Sequence, residues 1–314
     1  MGFKIASHPF LFAAVAGMAA SGIGAYAWHE QSRPPILEVY LFSLKGGQAA
    51  FIRTPEDKRI LVDGGANGDV IREITSILPF YSRIIDSIIA TKDDANHVGG
   101  LIDVVSRYSI GSAYIPAVTL NSLGIASSTD PAYQAFLAVL GERKIQPQLL
   151  RAGDSVSLDS KTDMQVLFPV SPGDFGYSKA SGPEILMKIH FGSTSVSFLG
   201  DASVKIQKFI ASTSVDSFSR NDSSSNALFI PQSISPGNIA PQLIEMIKPE
   251  FLIYSQAPPK GTSKSPGSAA KTSGKKPVKK AADPLVEMLP ENKLNLKEKG
   301  RLKIISDGKT LRVQ

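Results

Sequence analysis

Cysteine is absent from the chain, which excludes disulfides and thiolate zinc sites together. The absence does not fix the compartment, because many exported proteins lack disulfides. Charge is missing in two places. From Pro9 to Trp28 no residue is ionised at neutral pH, and from 257 to 282 there is no acid at all, although seven lysines lie there. The overall net charge of +6 suits a nucleic-acid binder only if it is spread over a folded surface. Without the lysines of 257–282 the rest of the chain is close to neutral, so the basic character belongs to one segment. What is present is ordinary globular material: 314 residues, 42% hydrophobic and 20% charged, enough for one large core or two small ones.

The uncharged run 9–28 is long enough to span a bilayer as a helix. Lys4 before it favours an N-terminus that stays inside. Two functional readings stand. One is an uncleaved anchor, giving a single-pass protein with the bulk of the chain outside the cytoplasm. The other is a signal peptide cut near Ala27, since Ala25-Tyr26-Ala27 fits the small-residue cleavage pattern, giving a secreted protein. A buried core helix is the structural alternative. Residues 1–35 are therefore expected to form an anchor or signal segment plus a short linker, and 36–314 a folded domain.

Beyond Ile36 the pattern is mixed α/β. Strands are expected at Ile36–Leu44, Ala49–Arg53, Arg59–Val62, Ile84–Ala90, Ser112–Ile115, Gln146–Leu150, Met164–Phe168, Ile185–Phe191, Ser195–Leu199, Ala227–Ile230 and Phe251–Tyr254. A closing hairpin turns at Asp307-Gly308. Helical spacing appears at Asp69–Leu78, from Val98 through Tyr108, and at Pro131–Arg143, Ala202–Ser212 and Ile239–Ile247, with a turn of helix at Pro284–Leu289. The lysine-rich stretch 257–282 has too little apolar content to bury a core and reads as a disordered insertion.

Three segments follow strands and carry chemically useful side chains: Lys92–Gly100, Gly200-Asp201 and Pro231–Ser235. Loops at strand ends on a rigid sheet are where α/β folds place ligands. Several stretches then resemble one family in order. FSLKGGQAAFIRTPEDKRILVDGG (42–65) is similar to its opening strands, and TKDDANHVGGL (91–101) to its metal loop. Residues 151–169 resemble a further strand, ILMKIHFGSTSVSFLGD (185–201) a hairpin ending in Gly-Asp, NALFIPQSIS (226–235) the third ligand loop, and RLKIISDGKTLRV (301–313) the closing hairpin. The chain thereby resembles the metallo-β-lactamase superfamily, and within it the soluble domain of ComEC-type DNA-uptake proteins. The resemblance implies a four-layer αββα sandwich.

It also implies a two-metal hydrolytic site, with metals about 3.5–4 Å apart and a bridging hydroxide. Here the ligand set is depleted. Asp94 and His97 match the first loop and Asp201 the bridging carboxylate. Lys92 and Asn96 replace a histidine and an aspartate, Gln232 and Ser233 stand in a loop that holds no histidine, and Asp283 is the nearest counterpart of the last ligand. An ammonium offers no lone pair and repels a cation. The expected cofactor is none, or a single weakly bound zinc on Asp94, His97 and Asp201.

Each residue also has a plainer role. Asp63-Gly64-Gly65 reads as a strand-ending turn. His97 is weighed evenly between metal binding and a hydrogen bond within its loop. Asp201 reads as the N-cap of a helix starting at Ala202. Lys92 is positioned to pair with Asp94 or Asp201 in place of a metal. His190, in mid-strand, reads as structural. The expected partners are the membrane through 9–28, DNA or another polyanion through 257–282, and a separate membrane channel protein. The function implied is a tethered, catalytically impaired binding or accessory module. The alternative is an active metal-dependent phosphodiesterase on DNA.

Overall fold

In β1 (Leu37–Leu44) the residues Leu37, Val39 and Leu41 face one side and Phe42 and Leu44 the other, so both faces of this strand are covered. The computed structural model describes residues 34–119, 130–178, 182–213, 225–234, 238–255 and 289–314. The apolar run 9–28, the insertion 257–282, Asp283 and nearly all of Pro284–Leu289 lie outside these. Among the described residues no helix is long and apolar enough to cross a membrane.

After β1 come β2 (Gly47–Arg53), β3 (Arg59–Val62), α1 (Asp69–Ile77), β4 (Ile84–Ile89), α2 (Ala95–Arg107), β5 (Ser109–Pro116), α3 (Pro131–Glu142) and β6 (Pro147–Leu150). The second half holds β7 (Ser155–Ser157), β8 (Thr162–Phe168), β9 (Leu186–Phe191), β10 (Thr194–Phe198), α4 (Val204–Thr213), β11 (Ser225–Ile230), α5 (Pro241–Ile247) and β12 (Phe251–Tyr254). It continues with β13 (Asn292–Asn295), α6 (Leu296–Lys299), β14 (Arg301–Ser306) and β15 (Leu311–Val313). The strands form an eight-stranded sheet, ordered β15-β14-β1-β2-β3-β4-β5-β6, and a seven-stranded sheet, ordered β13-β12-β11-β10-β9-β8-β7.

Three apolar layers hold the sheets and helices. Val39, Ile52, Ile60 and Val62 of the first sheet meet Val166, Met187, Ile189 and Val196 of the second in a core between the sheets. Ile74 of α1, Leu101 and Val104 of α2 and Phe136 of α3 cover the outer face of the first sheet. Ile206 and Ile210 of α4 and Leu243 and Ile244 of α5 cover the outer face of the second. The fold is therefore mixed α/β with two sheets, layered helix, sheet, sheet, helix. β9 is buried along its whole length because it is covered on both faces, Met187 and Ile189 between the sheets and Leu186 under the helices, and this burial includes Lys188 and His190.

Helix boundaries follow local chemistry. α2 starts at Ala95, three residues before the apolar periodicity begins, because the Asp94 carboxylate accepts the Asn96 N–H and caps it. Gly99 and Gly100 let this first turn sit against the loop after β3. A Cβ on Gly99 would lie 2.2 Å from the Ala66 carbonyl oxygen, and one on Gly100 2.1 Å from that of Gly64. α4 begins at Val204 rather than Ala202. Asp201 does not cap it, because its carboxylate is drawn across the site to Lys92 and Ser233. The edge strand β13 and helix α6 are not foreshadowed by any periodicity: Asn-Lys-Leu-Asn pairs with β12 as a polar edge.

Topology gathers the site at one end of the sandwich. β3 to β6 run parallel, as do β10 to β13. The loops carrying Asp63, Thr91, Asp201 and Ser233 leave the carboxyl ends of β3, β4, β10 and β11, where parallel sheets expose backbone and side chains to a crevice. β9 runs antiparallel to β10, so its entrance, with Glu184, lies at the same end. For the same reason the start of β2 lies beside the end of β3.

Candidate functional site

The Lys92 ammonium sits where the site's carboxylates converge. Its Nζ donates to Asp201 Oδ2 at 3.0 Å and lies 3.4 Å from Asp94 Oδ2. The His97 Nδ1 is 2.6 Å from Asp94 Oδ1, while its Nε2 is 3.9 Å from Asp201 Oδ2, beyond hydrogen-bond reach. The Ser233 hydroxyl donates to the other oxygen of Asp201. Four strand-end loop residues predicted as site positions, Lys92, Asp94, His97 and Asp201, are thus in one cluster, and Ser233 joins them. Asn96 and Gln232 stand at the exposed rim, and Asp283 is outside the described residues.

Two further acids belong to the site. Asp63 has a left-handed backbone, φ 57°, and its two carboxylate oxygens accept the Thr91 N–H at 2.8 Å and the Thr91 O–H at 2.7 Å. It is more than a turn residue, because it locks the start of the Lys92 loop onto β3. Glu184 is only 2% exposed; its Oε2 accepts the Asp201 N–H at 2.8 Å, and its Oε1 has no partner among the described residues. Gly200 makes room for it: with φ 55° it leaves a position where a Cβ would come 3.2 Å from the Glu184 carboxyl. The one sequence signal for Glu184 is an acid placed directly before the apolar stretch Ile185-Leu186-Met187.

Burial and charge set the protonation states. Desolvation raises Glu184, repulsion from Asp201 adds to it, and Lys92 and His97 oppose; the result is about 8, so Glu184 is largely protonated at neutral pH. Desolvation raises Asp63 to about 6 against the pull of His97 and the Thr91 hydrogen bonds. For His97, burial alone acts downward, but Asp63, Asp94 and Asp201 outweigh it and raise the ring to about 9. For Lys92, burial is outweighed by Asp201, Glu184 and Asp94, and the ammonium is held well above its ordinary value. Against burial, His97 and Lys92 lower Asp94 to about 2, and they also lower Asp201. At neutral pH the cations Lys92 and His97 therefore face the anions Asp94 and Asp201, with Asp63 largely ionised beside them.

As its side chains are paired here, this donor set does not fit a two-metal centre. Asp94, His97 and Asp201 each offer a ligand atom within 4.8 Å of the others, and they form the one such group among the described residues. A metal there needs a neutral imidazole and free carboxylate oxygens. Instead the His97 proton is held by Asp94 and the shared carboxylate face is taken by an ammonium, which repels a second cation at the same place.

Beside the cluster a cavity of about 300 Å³ opens between the sheets. Its floor is apolar, from Ala50, Val62, Phe198 and Phe229, and Gln48, His97 and Ser233 are among its polar walls. His190 and Lys188 lie elsewhere, on the helix-facing side of β9; both are buried and burial lowers both.

No family model and no curated protein matches the chain. Among solved structures it is similar to a CmlA β-hydroxylase mutant, at 18% identity over 71% of this chain and 46% of that one, with a TM-score of 0.45. It is similar to Rm3 metallo-β-lactamase at 12% identity over 60% and 74%, TM-score 0.38. It is also similar to zinc-bound PqqB from Methylobacterium extorquens at 12% identity over 62% and 69%, TM-score 0.38. The match thus spans less than half the length of the CmlA chain.

Proposed function

We propose that this chain is a metal-independent member of the metallo-β-lactamase superfamily, similar to the soluble domain of ComEC-type proteins, which binds a ligand and does not hydrolyse it. The observation that carries this reading is the Lys92 ammonium, 3.0 Å from Asp201 and 3.4 Å from Asp94, in the centre of the would-be ligand set. A fixed cation neutralises the carboxylates that a metal would otherwise neutralise, but it supplies no bound hydroxide, so the water-activating step of this chemistry has no source.

In the same proposal, residues 9–28 tether the domain to the membrane with its bulk outside the cytoplasm, and the lysines of 257–282 contact DNA or another polyanion. That contact weakens steeply with salt, as counterion release requires. A role beside a separate membrane channel in DNA uptake is the physiological setting that the ComEC resemblance suggests.

The competing reading is a metal-dependent phosphodiesterase, favoured by the Asp94, His97 and Asp201 group. The test is hydrolysis of bis(p-nitrophenyl) phosphate and of double-stranded DNA by the full chain, with zinc or manganese added. Rates equal to those of the Asp94→Asn and Asp201→Asn variants support the binding module. A metal-dependent rate that either variant abolishes establishes the hydrolase.

A further inference from the structure

Six large apolar side chains are exposed among the described residues, and four of them, Ile36, Phe80, Tyr81 and Ile84, lie at one end of the first sheet. Phe80 is 90% exposed and Tyr81 74%. They form the tip of the turn between α1 and β4. The Ser82 N–H closes this turn by donating to the Pro79 carbonyl at 2.8 Å, and Arg59 braces it by donating to the Ser82 hydroxyl. The two rings stand edge to face at 5.4 Å, so the turn presents them as a fixed pair. Apolar side chains gathered on a surface mark a place of interaction, unlike those scattered singly.

Strand registers fix where this end lies. Glu38 of β1 is opposite Arg53, Arg53 is opposite Arg59, and β4 runs parallel to β3 with Ile60 opposite Ser87. Ile36 and Ile84 are therefore level and three strands apart, about 14 Å at the usual strand spacing. Ile36 is where the chain enters the fold, and only the seven residues 29–35 separate it from the uncharged run 9–28. Seven residues reach at most about 25 Å when fully extended. In the tethered reading above, on which this inference rests, the Ile36 end of the sheet is held near the bilayer, and the aromatic turn with it.

We propose that the Phe80-Tyr81 turn docks the domain onto a phospholipid bilayer, with the two rings at the depth of the headgroups. Aromatic rings favour that depth, where an apolar body and a polar tip are both accommodated. Arg83 follows the turn, exposed and with its guanidinium 5.7 Å from the Tyr108 ring, and it suits a lipid phosphate. Asp57 and Asp86 at the same end are already paired, Asp57 with Arg59 at 2.8 Å and Asp86 with Lys58 at 3.4 Å, so they do not oppose that contact. The loops of the candidate site leave the other ends of β3 and β4. Docking by the turn therefore points the cavity away from the bilayer, towards ligands in solution.

The chain has no cysteine, so one introduced cysteine carries a single fluorophore. The full chain is reconstituted into phosphatidylcholine–phosphatidylglycerol vesicles, with or without lipid bearing a nitroxide near its headgroup. The label is placed at Pro79→Cys, beside the turn, or at Asn67→Cys, exposed at the site end. The expected result is nitroxide quenching of the Pro79→Cys label and none of the Asn67→Cys label. Adding Phe80→Ser and Tyr81→Ser to the Pro79→Cys chain should abolish the quenching and leave the melting temperature unchanged, because both side chains are exposed. Equal quenching at the two positions, no quenching at Pro79→Cys, or quenching that survives loss of both rings overturns the proposal. So does a Pro79→Cys label shielded from aqueous iodide yet not quenched by the lipid, which would mean that a protein covers the turn. Flotation is read separately: a chain that does not float with the vesicles removes the tether and this inference together, whereas one that floats without quenching at Pro79→Cys removes this inference and leaves the tether standing.

Discussion

Lys92 Nζ donates to Asp201 Oδ2 at 3.0 Å across 109 positions of sequence, joining the loop after β4 to the loop after β10. The contact ties the two sheets together at the end where the site lies. Lys92 is one-quarter exposed and Asp201 slightly less, so the pair is partly shielded from water. Lys92→Met strands Asp201 and Asp94 side by side. Its expected cost at pH 7 is about 1–3 kcal/mol, the usual penalty for leaving buried polar groups unpaired. Urea unfolding of parent and variant measures it, and equal midpoints with equal slopes would place Lys92 in solvent.

The pH dependence follows from the shifts with their signs. Glu184, at about 8, and Asp63, at about 6, hold protons in the folded state that the unfolded chain has released above its ordinary carboxylate range. His97, at about 9, stays charged where an unfolded histidine has lost its proton. All three make the folded state bind more protons, so stability rises as pH falls from 9 towards 5. Asp94, at about 2, and Asp201, also lowered, act oppositely: their contribution is present above the ordinary aspartate value and is lost as pH falls through their folded values. Melting temperatures recorded from pH 3 to pH 9.5 should peak on the acid side of neutrality. A maximum near pH 8 would show that Glu184 and His97 do not have these protonation states.

Glu184→Gln isolates one of these groups. Glutamine keeps an acceptor for the Asp201 N–H but has nothing to titrate. The variant should match the parent near pH 6, where the Glu184 carboxyl is protonated, and exceed it at pH 9, where the parent must ionise a buried acid. Thermal melting at the two pH values decides it; a variant less stable at pH 9 would mean that Glu184 acts there as a paired anion.

Gly200→Ala is a fourth test. At φ 55° a Cβ is strained, and here it would also come 3.2 Å from the Glu184 carboxyl. Gly200→Ala should therefore lower stability by about 1–2 kcal/mol, the cost of a left-handed conformation for a residue with a side chain. No change in the urea midpoint would show that the turn relaxes freely.

Much of this architecture was legible from local pattern. Alternation at the start of β1, the apolar run of β2 and the spacing of Val70, Ile74, Leu101 and Val104 report burial directly, so those elements were readable within a few residues. Asp94, His97 and Asp201 stood out because the loops that hold them follow apolar strands and resemble the family's ligand loops. Glu184 and the true role of Asp63 did not, because both depend on partners far away in sequence: Glu184 on the backbone of Asp201, Asp63 on Thr91. Asp201 was read as a helix cap since it precedes α4, but a local rule cannot see that Lys92 and Ser233 compete for the same carboxylate. The expected strand began only at Ala49, and only the packing of the two sheets shows that Gln48, just before it, lines a cavity.

The central claim is that an ammonium has taken the metal's place, and metal uptake tests it most directly. The full chain and its Lys92→His variant are dialysed against zinc, then against metal-free buffer, and their zinc content is measured by elemental analysis. The prediction is less than one zinc per parent chain and a clear gain in Lys92→His, where an imidazole lone pair replaces a repelling charge. Two zinc ions retained by the parent would contradict it.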